Sequence, residues 1–64
     1  MTYQIVYDRA WGKGKRKTYR RTFESIDRAV AYAGRKASEP NVKRVRGFEY
    51  DEQDGLTYVF EMAL

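Results

Sequence analysis

The sequence predicts a single α+β domain: one four-stranded, mainly antiparallel sheet in the order strand, strand, helix, strand, strand, with the helix packed on one face. Three observations predict it. Two segments with strand-like alternation precede Ser25, and two more follow Asn41. Between them, apolar residues recur at helical spacing. Finally, 64 residues with neither Cys nor His allow one core and exclude disulfide staples and nearly every structural zinc site. Six Tyr, three Phe and one Trp must then build that core. Residues 1–64 contain no repeat, linker or low-complexity stretch.

The first strand is expected over residues 3–8, with Tyr3, Ile5 and Tyr7 on one face and Gln4, Val6 and Asp8 on the other. Trp11-Gly12-Lys13-Gly14-Lys15 reads as a turn. The second strand, 18–23, sets Tyr19 and Phe23 against Thr18, Arg20 and Thr22, which closes a hairpin with a long basic tip. Ser25 suits a helix N-cap, and Asp27 in the first turn suits the dipole. Ile26, Ala29, Val30, Ala33 and Ala37 then form a stripe about 80° wide. Pro40 ends the helix near Ala37 or Ser38.

Residues 42–51 and 56–62 flank Gln53-Asp54-Gly55 as a second hairpin. A three-residue loop with Gly55 in the left-handed position pairs Phe48 with Phe60 and Tyr50 with Tyr58. It gathers Phe48, Tyr50, Leu56, Tyr58, Phe60 and Met62 on one face. A two-residue Asp-Gly turn opposes apolar to charged residues along the ladder, so the pattern selects the longer loop. Gly47 is expected to mark a bulge or a close approach of the helix. The uncovered sheet face is then Gln4, Val6, Asp8, Thr18, Arg20, Thr22, Val45, Glu49, Thr57, Val59 and Glu61.

Charge is distributed unevenly. All thirteen Lys and Arg lie in residues 9–46 against three acids, whereas residues 47–64 hold five acids and no base. A basic body of this kind suggests nucleic acid or an acidic protein surface as partner. The densest part is the first hairpin, where Lys13, Lys15, Arg16, Lys17, Arg20 and Arg21 surround Trp11 with no acid among them. A glycine-containing basic loop can follow a phosphate backbone while an indole stacks. On the helix, Arg28, Tyr32 and Arg35 share a face at spacings of four and three. They are the second candidate, against the plainer reading that Tyr32 shields the core edge under arginine stems. The acidic tip (Glu49, Asp51, Glu52, Asp54) matches no calcium loop and reads as a solvated turn.

Other classes fall away. Without His or Cys there is no general acid–base group poised near neutral pH and no thiol nucleophile, so catalysis is not expected. Gly12-Lys13-Gly14-Lys15 lacks the spacing of a phosphate-binding loop, and no cofactor or metal is implied. The longest apolar run, Ala29–Ala33, is far short of the roughly 20 residues a membrane span needs, so no membrane partner is expected. Met1 leads directly into Thr2-Tyr3-Gln4 without the pattern of a signal peptide, so the expected location is cytoplasmic.

Arg21-Thr22-Phe23-Glu24-Ser25, followed by Ala29, Tyr32 and Ala33, resembles the strand-to-helix junction of AP2-type DNA-binding domains and the related arm-binding domains of phage integrases. The resemblance covers residues 11–37 and implies a basic sheet that contacts DNA, backed by an amphipathic helix. Those families place three strands before the helix, where this chain has two before and two after. The whole layout is similar to small strand-strand-helix-strand-strand proteins of bacteriophages and mobile elements, which implies binding to nucleic acid or to a host protein. The leading expectation is therefore a small binding protein that contacts nucleic acid through its first hairpin. The alternative is a modulator of a host enzyme acting through the open sheet face (Val6, Val45, Val59) or the acidic tip. A homodimer through the open sheet is compatible with both.

Overall fold

Alternation in the first third produces a hairpin longer than the alternating segments themselves. In the computed structural model, which describes residues 2–62, β1 (Thr2–Trp11) pairs antiparallel with β2 (Lys15–Phe23). The register runs unbroken from Tyr3 opposite Phe23 to Trp11 opposite Lys15. Only residues 12–14 turn. The chain continues through α1 (Ile26–Ala37) into β3 (Val42–Asp51) and β4 (Gly55–Met62). The sheet order is β2-β1-β3-β4, and every neighbouring pair is antiparallel. The helical crossover therefore steps over β1, leaving β2 and β4 as the edges.

Helix α1 starts and stops where the capping residues predict, but by different means. Ser25 holds the N-cap position in extended backbone, and its carbonyl accepts the Ala29 N–H at 3.0 Å, while its hydroxyl caps nothing. The Ser38 N–H closes the last turn on the Gly34 and Arg35 carbonyls, each at 3.2 Å.

The buried face is rotated from the predicted stripe. Ala29 and Ala33 are fully buried, yet Ile26 and Val30 stay exposed and Tyr32 turns inward. Its ring fits between Phe23 and Tyr7, with centroids 5.1 and 6.2 Å away. An aromatic ring buries more apolar area than either aliphatic side chain it displaces. Ile5, Tyr7, Val42 and Val45 complete the core from the sheet, and Tyr19 stacks on Tyr7 at 5.2 Å.

The second hairpin corrects the expected register. Gly55 is left-handed (φ 73°), as expected, but the loop is Glu52–Asp54, one residue earlier than predicted. The Asp51 carboxylate accepts the Gln53 N–H at 2.8 Å, a local turn that starts the reversal at Asp51. Asp51 then pairs with Gly55, Tyr50 with Leu56 and Phe48 with Tyr58. Beyond Phe48 the register shifts, leaving Val59 as the extra residue of a bulge, and Gly47 lies opposite Phe60. The bulge splits the predicted apolar face. Phe60 and Met62 pack toward the helix, whereas Phe48, Tyr50, Leu56 and Tyr58 lie on the other side of the sheet with Gln4 and Val6.

Gly47 marks the close approach, and its neighbour is Phe60 rather than the helix. A Cβ there would overlap the Phe60 ring. The bulge delivers that ring onto bare backbone. Gly47→Ala is therefore expected to cost about 1–3 kcal/mol by overpacking, seen as a lower thermal midpoint. Gly34→Ala, where an added methyl meets nothing within 4 Å, is expected to stabilise the fold by up to about 1 kcal/mol through helix propensity, seen as a higher midpoint.

Candidate nucleic-acid interface

The cations of the first hairpin stand on an edge strand. Lys15, Arg16, Lys17, Arg20 and Arg21 belong to β2, Lys13 to the turn before it, and all six are exposed. Strand alternation sorts them into two rows. Lys15, Lys17 and Arg21 lie opposite Trp11, Arg9 and Ile5 on the helix side, whereas Arg16 and Arg20 lie opposite Ala10 and Val6 on the open side. A polyanion laid along this edge meets both rows.

None of these six pairs with a carboxylate among the described residues. The ion pairs present belong to Arg9, Lys36 and Arg44. Trp11 is 54% exposed, with the Lys15 ammonium 4.9 Å from its ring centroid. The Lys17 ammonium lies 5.4 Å from the centroid of Tyr19. Cation–π contacts of this kind orient side chains without neutralising them.

The helix candidates separate. Tyr32 is 7% exposed and cannot offer its face to a base. Burial, then the neighbouring Tyr7, pushes its phenol above the ordinary range. The Arg21 and Arg35 guanidinium groups lie 5.3 and 5.9 Å from its centroid, so the arginines cover the ring. Both arginines are exposed and join the helix-side row. Arg28 is exposed too, but seven residues before Arg35, about 10 Å along the helix axis.

Where the helix hands over to β3, Glu39 holds the hairpin near its turn, at Arg9. It pairs with Lys36 at 3.0 Å and accepts a hydrogen bond from Arg9. The Lys36 hydrogen bond, assisted by Arg9, holds its carboxyl below the ordinary 4.5. A carboxyl lowered by folding contributes stability that is complete above its ordinary value and is lost as pH falls through the lowered one. The thermal midpoint is therefore expected to drop as pH falls from the ordinary value through the lowered one. Glu39→Gln is expected to flatten this acid limb in melts recorded across pH. Glu61 is lowered in the same direction by Arg44, so part of the limb persists in that variant.

The acidic loop lies at the opposite end of the sheet from the basic turn, because Thr2 pairs with Tyr50 while Trp11 pairs with Lys15. Among the described residues no acidic group assembles a metal site, and no helix is long and apolar enough to cross a membrane.

The valine surface needs correction. Val45 is fully buried in the core, opposite Tyr7 on the helix side. Val6 does lie on the open face, but it is 6% exposed between its cross-strand neighbours Arg20 and Arg46. Only Val59, the bulge residue, is exposed. Glu49 and Thr57 likewise lie on the Tyr3 side of the sheet rather than the open one. The open face instead carries Tyr50, Leu56 and Tyr58, together with Arg44 and Arg46, none of which sequence reasoning placed there. Val45 cannot share a face of one regular strand with Phe48 and Tyr50, but alternation alone does not say which of them faces the helix.

Comparison of the chain with protein-family models, with curated proteins and with solved structures gives no match.

Proposed function

We propose that the protein is a small, non-catalytic binding protein that contacts the phosphate backbone of nucleic acid along the β1–β2 hairpin. The observation that carries this reading is the set of six exposed cations on one edge hairpin, without carboxylate partners among the described residues, beside an exposed indole. Lys15, Lys17 and Arg21 take phosphates on the helix side, Arg16 and Arg20 on the open side, Lys13 at the turn, and Trp11 stacks at the tip. Arg35 extends the helix-side row. The acidic loop at the far end orients the molecule, since a polyanion attracts one end of the sheet and repels the other. Contacts of this kind are not specific for base sequence, so binding is salt-sensitive and tolerant of sequence.

The test is a titration of labelled single- and double-stranded DNA and RNA at several salt concentrations. Affinity that falls linearly with the logarithm of salt supports phosphate contact, and the slope counts the phosphates. Absence of binding at low salt sinks the reading.

A further inference from the structure

The open sheet face combines aromatic surface with arginine in a way the hairpin does not explain. Successive rungs on this face lie about 7 Å apart, two strand residues each. One rung is Arg20, Val6, Arg46 and Glu61, and the next is Thr22, Gln4, Phe48 and Tyr58. Beyond it Tyr50 stands opposite Leu56. Tyr50, Leu56 and Tyr58 are 44%, 50% and 54% exposed. Phe48 meets Tyr58 edge-on at 5.8 Å and props its ring. Helix α1 covers the other face, so this aromatic surface has no intramolecular cover among the described residues.

Charge identifies the occupant. Arg16, Arg20, Arg44 and Arg46 share the face with two acids, Asp8 and Glu61. Both acids are engaged: Asp8 accepts the Thr18 hydroxyl, and Glu61 is held by Arg44 and the Tyr58 hydroxyl. A second copy docked on this face would set one cationic surface against another. A purely apolar partner would strip water from Arg16, Arg20 and Arg46, which have no ion-pair partner among the described residues. The face thus offers flat rings and cations together.

We infer that the open face of β3 and β4 is a stacking platform for single-stranded nucleic acid. Unpaired bases lie on Tyr58 and Tyr50, and the backbone runs over Arg46 and Arg20 toward the hairpin. The inference rests on the proposed function and adds the form of the ligand. Phosphate contact along the hairpin does not distinguish single strands from duplex, whereas a platform needs bases freed from a stack.

The experiment compares wild type, Tyr58→Ala, Tyr50→Ala and Tyr58→Phe against an unstructured single strand and a duplex of equal length. Loss of one stacked base is expected to weaken single-strand binding about tenfold with the salt slope unchanged. Duplex affinity is expected to change less than twofold. Tyr58→Phe keeps the ring and is expected to bind as wild type. Circular dichroism of each exposed-site variant checks the fold. If both alanine variants bind single strands as wild type does while the hairpin remains salt-sensitive, the platform is wrong and the hairpin reading stands. If wild type binds neither ligand at low salt, the functional reading itself fails. If light scattering shows a dimer that Tyr58→Ala dissociates, the face is a self-association surface and the inference is overturned.

Discussion

Replacing Lys15, Arg16 and Lys17 together with glutamine is expected to weaken nucleic-acid binding on the order of a hundredfold at about 0.1 M salt. Each cation that neutralises a phosphate releases counterions, so the slope of log affinity against log salt is expected to flatten by about 2 for single strands and nearer 3 for duplex. The fold is expected to survive, because all three side chains are exposed and none belongs to an ion pair among the described residues. Surface changes of this kind move stability by about 0.5 kcal/mol or less. The three residues straddle the β2 edge, two on the helix side and one on the open side. Paired variants therefore resolve the path of the ligand. If Lys15→Gln with Lys17→Gln costs most of the affinity, the backbone follows the helix side. If Arg16→Gln with Arg20→Gln does so, it follows the open face. Binding by the triple variant equal to wild type rules out the hairpin as the contact.

The order of elements was legible because each announces itself locally. Tyr3, Ile5 and Tyr7 alternate with Gln4 and Asp8, so β1 has one apolar face and its parity follows directly. The same holds for Tyr19 and Phe23 in β2. The third strand is different. Val42 and Val45 face the helix, and Phe48 and Tyr50 face away. A strand with large apolar residues on both sides carries no parity signal. The bulge at Val59 compounds this, since one unpaired residue moves Phe60 and Met62 to the face opposite Tyr58 and leaves no mark in composition. Helix α1 was ambiguous for a related reason. A stripe of alanines fits several rotations, and Tyr32 decided among them by filling the gap between Phe23 and Tyr7.

The candidate site divides along the same line. The hairpin cations were legible as a count, because thirteen bases and their crowding around Trp11 need no fold to be seen. Their division into two rows needed the register. The aromatic platform needed both the register of β3 and the bulge of β4, so sequence reasoning assigned those rings to the core.

A matched pair of substitutions reads that parity directly, and its first member has the larger expected effect on stability. Val45 has no exposed surface and lies opposite Tyr7 beneath the helix. Val45→Glu places a carboxylate there, in an apolar cluster of Ile5, Tyr7, Ala29, Ala33 and Val42. An unpaired buried charge costs about 3–5 kcal/mol, and a core this small supplies about 3–5 kcal/mol in all. The variant is expected to lose its cooperative thermal transition and its sheet dichroism at neutral pH. Val59→Glu makes the same chemical change 44% exposed, at a bulge, on an edge strand. Its midpoint is expected to stay within a few degrees of wild type. Were Val45 on the open face, as simple alternation from Phe48 requires, both variants would fold alike. A folded Val45→Glu would therefore overturn the β3 register. With it would go the placement of Tyr50 and Tyr58 on the uncovered face, since the same pairing with β1 sends Val45 inward and those rings outward.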